Sequence, residues 1–134
     1  MNYVENTIKI TVSLPTSPLS PNSRCHWAVK AKATKRARIE AWAMAQVAMY
    51  ESNVKGEWVA AACQCLWFAK DNRQRDRDNC LSSLKATFDG LADARLLVND
   101  AGLVHLPLRI FTDPKNPRIE LILNQIELQE NNYQ

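Results

Sequence analysis

Residues 73–79 have the sequence Arg-Gln-Arg-Asp-Arg-Asp-Asn, and they join a long apolar run to an amphipathic segment. The apolar run, residues 57–70, predicts a strand buried in a sheet. Beyond the junction, residues 79–91 have the three-and-four spacing of a buried helix stripe at Leu81, Leu84, Phe88 and Leu91. The stretch therefore predicts a strand-to-helix connection, with Asp78 or Asn79 as the helix N-cap.

The junction carries two carboxylates, Asp76 and Asp78, two residues apart among three arginines. Such a pair repels itself unless arginines or a divalent cation offset the charge. Mg²⁺ favours this chemistry, because it binds through one or two carboxylates together with substrate phosphates. The alternative is a solvated turn whose exposed ion pairs contribute only about 0–1 kcal/mol.

Further charged residues follow on and after the predicted helix. Lys85 lies seven positions after Asp78, so in one continuous helix the two side chains project from the same side. Asp89 follows Lys85 by four, a spacing that also suits an ordinary surface ion pair. Asp100 stands in a turn-rich segment after this helix. We expect the turn to bring Asp100 back towards the first acidic pair.

In these motifs the chain resembles the RusA family of Holliday-junction resolvases, including the related endonucleases of phages and prophages. The family has an Asp-x-Asp-Asn step, then a helix with a lysine and an Asp-x-Leu, and a later aspartate in a short turn. The matching elements here are Asp76-Arg-Asp78-Asn79, Lys85, Asp89-Gly-Leu91 and Asn99-Asp100. Residues 20–27 are similar to the loop before the first helix of phage members. The family lysine often stands nearer the Asp-Asn step, where this chain has Ser82.

The resemblance implies a RusA-like endonuclease that needs Mg²⁺, or alternatively Mn²⁺, and resolves four-way DNA junctions in recombination and repair. It implies that Asp76, Asp78 and Asp100 bind the metal and that Lys85 is catalytic, steadying the scissile phosphate. It also implies a homodimer, since two symmetry-related strands need two sites. Two alternatives remain open: a non-catalytic branched-DNA-binding protein, and a nuclease for flaps, forks or RNA.

The charge distribution also favours a nucleic-acid partner. The net charge is +3, but residues 7–39 contain seven Lys and Arg and no Asp or Glu. Segregated cations of this kind bind phosphates and confer affinity without sequence information. The alternative for residues 30–38 is the solvated face of a helix. The predicted DNA-binding residues are Asn22, Arg24, His26, Lys30, Lys32, Lys35, Arg36, Arg73, Arg75, Arg77 and Asn79.

The remaining elements complete an α+β domain with a mixed sheet, in the order β-α-β-α-β-β. Residues 7–14 alternate as a strand, and three prolines then force an irregular loop. A helix begins between Trp27 and Thr34 and ends near Glu51. After Gly102, residues 104–110 and 119–123 alternate around a proline-bearing turn, which predicts a β-hairpin. We expect the first helix to direct towards the core Ile39, Trp42, Ala43, Val47 and Tyr50.

Composition predicts one domain over residues 1–134, with residues 129–134 as a frayed tail. The chain is 46% hydrophobic, enough for a core without disulfides or a structural metal. Neither a membrane-spanning stretch nor a signal peptide is evident, so we expect a cytoplasmic, nucleoid-associated protein without membrane or small-molecule cofactor. The four cysteines lack zinc-site spacing and are expected to be thiols. Trp42, Trp58 and Trp67 are expected in the core or at a subunit interface.

Overall fold

The computed structural model describes residues 2–127, and side chains from residue 6 onward. The predicted frayed tail at 129–134 lies outside the described residues. The chain forms an α+β domain with a mixed sheet, as predicted. Its strands and helices are β1 Asn2–Val12, α1 Trp27–Ser52, β2 Ala61–Ala69, α2 Arg77–Ser82, α3 Lys85–Asp93, β3 Leu103–His105, β4 Arg109–Thr112 and β5 Arg118–Glu127.

The sheet has β2 at its centre, with β5 on one side and both β3 and β4 on the other. β5 is antiparallel to β2 and to β1, whereas β3 and β4 pair with β2 in parallel. The predicted hairpin is therefore wrong. The residues between β4 and β5 pass the C-terminal end of β2, where the Asp113 N–H donates to the Ala69 carbonyl at 2.7 Å. Alternation indicates that a segment is a strand, but it does not determine which strand lies next to it in the sheet.

The two predicted strands before the acidic junction are shifted at their ends. β1 ends at Val12 rather than residue 14, because the Ser13 N–H and hydroxyl donate to the Glu40 carboxylate of α1 at 3.1 and 2.6 Å. β2 begins at Ala61 rather than residue 57. Trp58 forms an isolated parallel bridge with Leu97 and is 2% exposed, so it is a core residue as predicted.

The core face of α1 differs from the prediction. Its fully buried side chains are Ala41 and Ala45, whereas the side chains that were predicted to be buried are largely exposed to solvent. Of the predicted core residues, Ala43 is half-buried, and the exposed ones are Ile39, Trp42, Val47 and Tyr50. The physical reason is the close approach of α1 to α3: a methyl group on Gly90 would lie 2.7 Å from the Ala41 Cβ. Only small side chains fit between helices at that separation.

The predicted helix over residues 79–91 is two helices. α2 ends at Ser82, and α3 begins at Lys85 after Leu84, which has non-helical backbone angles. The N-cap is Asp76 rather than Asp78 or Asn79. Because the axis is interrupted, a continuous helix does not set the direction of Lys85 relative to Asp78. The predicted stripe is nevertheless confirmed in the second helix and its approach, where Leu84, Phe88 and Leu91 are buried.

The sheet and helices enclose one main core, which includes Trp67 and three of the four cysteines. All four cysteines are free thiols. Burial raises the pKa of Cys63 and of Cys65 to about 12, so neither is a reactive thiolate at neutral pH. Within residues 2–127, no helix has the length and apolar character needed to cross a membrane.

Candidate active site around helix α2 and the Asp100 turn

The loop after β2 is organised by Arg75. Its guanidinium donates to the Asp71 carboxylate at 2.7 Å and to the main-chain carbonyls of Asp71 and Arg73 at 3.1 and 2.9 Å. The Arg75 side chain is only 12% exposed, and this contact holds the pKa of Asp71 below its usual value. Arg75 was predicted to bind DNA, but three of its hydrogen bonds shape the loop that presents Asp76.

Asp76 and Asp78 have different surroundings although they are two residues apart. The Asp76 Oδ1 accepts hydrogen bonds from the Asp78 and Asn79 N–H groups at 2.9 and 3.1 Å, which caps α2. Asp78 lies in the first turn of α2 and is exposed. Its carboxylate makes no hydrogen bond or ion pair with the side chains of residues 6–127. Asp76 therefore has a structural role as well as a free second oxygen, whereas Asp78 is wholly available to a ligand.

Asp76 also lines an open cleft of ≈ 430 Å³ below the loop that follows β1. Thr16 and Ser20 contribute hydroxyls from that loop, and Asn79 lines the same space. The ring of Trp67 forms part of the wall, and its Nε1 is buried without a hydrogen-bond partner. The N-terminal loop thus lies beside the acidic junction.

Lys85 connects α3 to the Asp100 turn. Its ammonium donates to Asp89 Oδ1 at 2.8 Å and to Asp100 Oδ2 at 2.5 Å. The hydrogen bond to Asp100, followed by that to Asp89, raises the pKa of Lys85, and the same contact lowers the pKa of Asp100. Asn99 caps the short turn at Asp100 by accepting from the Ala101 N–H at 2.8 Å. The lysine therefore stays protonated, and the aspartate stays ionised, at neutral pH.

We call the cluster of Lys85, Asp89 and Asp100 the Lys85 group. An ion pair between α1 and α3 adds two further charged residues on this side of the domain. Arg38 of α1 forms a two-point ion pair with Asp93 of α3, and this contact is the main reason that the pKa of Arg38 is raised. The charges of Asp89 and Asp100 also raise the pKa of Arg38. Asp93 follows Asp89 by four residues in α3, so the two carboxylates lie on the same side of that helix. Sequence reasoning missed the Arg38–Asp93 pair because its members lie 55 positions apart.

His105, in β3, follows the Asp100 turn by five residues. It is exposed, and its ring centroid lies 4.8 Å from that of Phe88. Burial against this ring lowers the pKa of His105, while the charge of Asp100 acts in the opposite direction. A neutral imidazole therefore stands next to the Asp100 turn, where it can accept or donate one proton.

The predicted metal ligands are not gathered into one group. Across the described side chains, no three His, Cys, Asp or Glu residues converge closely enough to share a metal. Asp76 and Asp78 are neighbours at the start of α2, whereas Asp100 is held by Lys85. The oxygen donors nevertheless suit Mg²⁺, which needs only one or two carboxylates when substrate phosphates complete its shell.

The predicted DNA-binding residues form a mostly exposed set. Those exposed are Asn22, Arg24, His26, Lys30, Lys32, Lys35, Arg36, Arg73 and Arg77, and Asn79 is half-buried. His26 has a local role that the sequence did not predict. Its Nδ1 accepts from the Ala28 N–H at 3.1 Å and caps α1. The cations on α1 remain available to a polyanion.

Sequence comparison identifies a relative of this chain. No model of a known protein family matches it. It is 34% identical over 116 residues to an uncharacterized protein of Xylella fastidiosa (strain Temecula1 / ATCC 700964), a match that covers 81% of this chain and 70% of that protein. The structure is an α+β domain in which the basic helix α1 packs against α3, with an acidic pair at the start of α2. The chain belongs to the same family as the Xylella protein.

Proposed function

We propose that this protein is a Mg²⁺-dependent, structure-selective endodeoxyribonuclease that resolves four-way DNA junctions by paired strand cleavage. The observation that carries the proposal is Lys85, whose ammonium joins Asp89 and Asp100 on the side of the domain where Arg38 contacts Asp93. Asp76 and Asp78, at the start of α2, supply the remaining carboxylates. The motif order, which resembles that of RusA endonucleases, supports the same chemistry.

Each residue then has a defined task. Asp76 and Asp78 would hold Mg²⁺, whereas Asp100, which the resemblance implies as a third ligand, contacts Lys85 and would position that lysine. The metal would lower the pKa of a bound water and offset negative charge on the phosphate. Lys85 would contribute a fixed positive charge near the scissile phosphate, since its raised pKa keeps it protonated. The exposed arginines Arg73 and Arg77 would bind neighbouring phosphates without reading bases.

Lys85→Ala should lower the rate of junction cleavage by about ten-fold or more, because an electrostatic stabiliser of the reacting phosphate is lost. Ser82→Ala should change the rate little, since Ser82 is exposed and no contact joins it to Asp100 among the described side chains. Rates would be measured under single-turnover conditions with both variants at equal folded concentration.

The pair of variants also tests which residue has the role of the family lysine. A larger loss in Ser82→Ala than in Lys85→Ala would assign that role to the earlier position and contradict our assignment. Lys85→Arg provides a second control, because it retains the charge and the contact to Asp100 but changes the shape of the donor.

The proposed homodimer has a candidate surface on the outer side of α1. Residues 41–50 contain no charged side chain, and Trp42 and Tyr50 are 45% and 89% exposed. Ile39 and Val47 are about half-exposed on the same side. Exposed apolar patches of this kind mark interaction sites. In an antiparallel pair of α1 helices, Arg36 of each copy would meet Glu51 of the other, so a second copy of this chain complements the patch in charge as well.

Trp42→Glu should weaken self-association by about ten-fold or more, the scale expected for a central aromatic residue at an interface. The molar mass would be measured by light scattering across a range of protein concentrations. Val59→Glu is the matched control, because Val59 is 60% exposed outside α1. A Trp42→Glu variant that associates like the parent protein would remove this face from the interface.

Incubation of the protein with a labelled four-way junction and Mg²⁺ tests the proposed activity. We expect symmetric nicks in two opposing strands. Binding without cleavage at any metal concentration would favour the non-catalytic alternative. Faster cleavage of flaps, forks or RNA on the same panel would change the substrate while keeping the chemistry.

A further inference from the structure

Trp27 is the first residue of α1 and is 76% exposed, unlike the buried Trp58 and Trp67. It belongs to a stripe of residues spaced by three and four along the helix. Residues of the stripe line a groove with a volume of ≈ 540 Å³. The lining residues are Trp27, Lys30, Ala31, Thr34, Lys35 and Arg38. We call this surface the Trp27 groove.

The Trp27 groove continues the stripe that packs α1 against α3. Ala41 and Ala45 follow Arg38 at the same spacing and are fully buried. The contact with α3 lies at this level, because a methyl group on Gly90 would overlap the Arg38 carbonyl oxygen. The first turns of α1 run past this contact, and no described residue covers Trp27. The Trp27 end of the stripe is therefore built like a packing face but is left uncovered by the described part of the domain.

The groove leads to the candidate active site. Arg38 forms its inner end, and the guanidinium there is bound to Asp93, which lies on the same side of α3 as Asp89 and Lys85 at successive spacings of four residues. Trp27 and Arg38 are separated by eleven residues, or about 16 Å along a helix axis. A nucleic-acid strand bound to Trp27 at one end would thus extend towards the side of α3 that carries Lys85.

Local contacts hold the indole in place before any ligand binds. His26 caps α1 by accepting from the Ala28 N–H, which fixes the first turn of the helix. Its ring centroid lies 5.5 Å from that of Trp27, with the planes inclined by 33°. An exposed aromatic ring that is already oriented loses less conformational entropy when it stacks on a ligand.

The charges around the groove select a polyanion. Lys30 and Lys35 are exposed and have no acidic partner among the described side chains, and no Asp or Glu occurs in residues 7–39. A second copy of this cationic stripe would be repelled from the first. Sequence-tolerant binding of single-stranded nucleic acid combines the same two elements, a basic track for the backbone and aromatic rings for bases. The bases of an intact duplex are already stacked on each other and cannot cover an indole ring.

We propose that the Trp27 groove binds an unpaired segment of the DNA strand next to the cleavage site, with one base stacked on Trp27 and adjacent phosphates on Lys30 and Lys35. The inference rests on the proposed function and adds the substrate class: branched DNA with unpaired nucleotides at the branch. The groove is short, spanning no more than about five nucleotides at 3.4 Å each.

The test measures binding of the full chain, without added metal, to a fluorescent ten-nucleotide thymidine oligonucleotide and to an abasic oligonucleotide of equal length. Trp27→Ala should weaken binding of the thymidine oligonucleotide by about 5- to 150-fold, the range measured for loss of one stacked base. Trp27→Phe should retain most of the affinity. On the abasic oligonucleotide, the parent protein and both variants should bind alike.

Lys35→Ala is the contrasting variant, because Lys35 would bind a phosphate rather than a base. It should weaken binding of both oligonucleotides equally and reduce the slope of log affinity against log salt by about 1. Trp27→Ala should leave that slope unchanged. The exposure of both side chains means that folding should be unaffected, which thermal unfolding of each variant checks.

Equal binding of the two oligonucleotides by the parent protein, or an unchanged affinity in Trp27→Ala, would overturn the inference. Loss of self-association in Trp27→Ala at unchanged DNA affinity would instead assign the groove to a second copy. The assay requires no cleavage, so its failure is distinct from failure of the proposed enzyme activity. A protein that stacks a base as expected but cuts no junction would keep the groove and lose the nuclease.

Discussion

Asp78→Asn should lower cleavage of a four-way junction in Mg²⁺ by about a hundred-fold or more, the scale of loss when a key charge at a reacting phosphate is removed. Asp78 is exposed in the first turn of α2, and its carboxylate makes no hydrogen bond or ion pair with the side chains of residues 6–127, so it is available to a cation. The amide keeps the volume but removes the charge and most of the ligand strength. Binding of the junction, measured without turnover, should be unchanged.

Two further variants separate ligation from folding. Asp76→Asn should also lose activity but retain α2, because asparagine caps a helix as well as aspartate does. Glu57→Gln is the neutral control, since Glu57 is exposed outside the site. Thermal unfolding of all three variants should stay close to that of the parent protein. Full turnover by Asp78→Asn in Mg²⁺ would end the assignment of this carboxylate to the reaction.

Gly90→Ala should destabilise the fold by about 1–3 kcal/mol, the usual cost of adding volume to a packed core. The added methyl group would overlap the Arg38 carbonyl oxygen and lie 2.7 Å from the Ala41 Cβ. The main chain of α1 must move for these atoms to fit. Helix propensity alone predicts the opposite sign, since alanine is favoured over glycine by about 1 kcal/mol within a helix.

Urea unfolding of Gly90→Ala and the parent protein measures the difference in the free energy of unfolding. Ala92→Met is a matched control, because Ala92 is on the same helix but only half-buried, and we expect a change within about 0.5 kcal/mol. Increased stability of Gly90→Ala would mean that the helices separate easily and that their close contact is not required. Activity should fall with stability, because Arg38 and Asp93 span the same contact.

Local periodicity along the chain predicts most of the strands and helices. The alternation at Ile8, Ile10 and Val12 predicts a half-buried strand, and these side chains are buried in β1. The spacing of Leu84, Phe88 and Leu91 identifies the core side of α3. Such patterns succeed because the side-chain direction in a strand or helix depends only on the residue's place in that element.

Local patterns did not predict which surfaces of two different elements pack against each other. On α1, large apolar side chains are prominent, so hydrophobicity pointed to Trp42 and Tyr50 as core residues. The close contact with Gly90 admits only small side chains and turns Ala41 inward instead. Likewise, the alternation of the last strands did not indicate that β2 would separate β4 from β5.

The candidate site divides in the same way. Its local pieces are readable along the chain: two aspartates where a helix begins after a long apolar run, a lysine followed by an aspartate four residues later, and an aspartate in a turn. Tertiary packing alone brings the ammonium of Lys85 to Asp100, and Arg38 of α1 to Asp93 of α3. The physical reason is that spacing along the chain determines direction within one element, whereas distances between elements depend on how their surfaces pack.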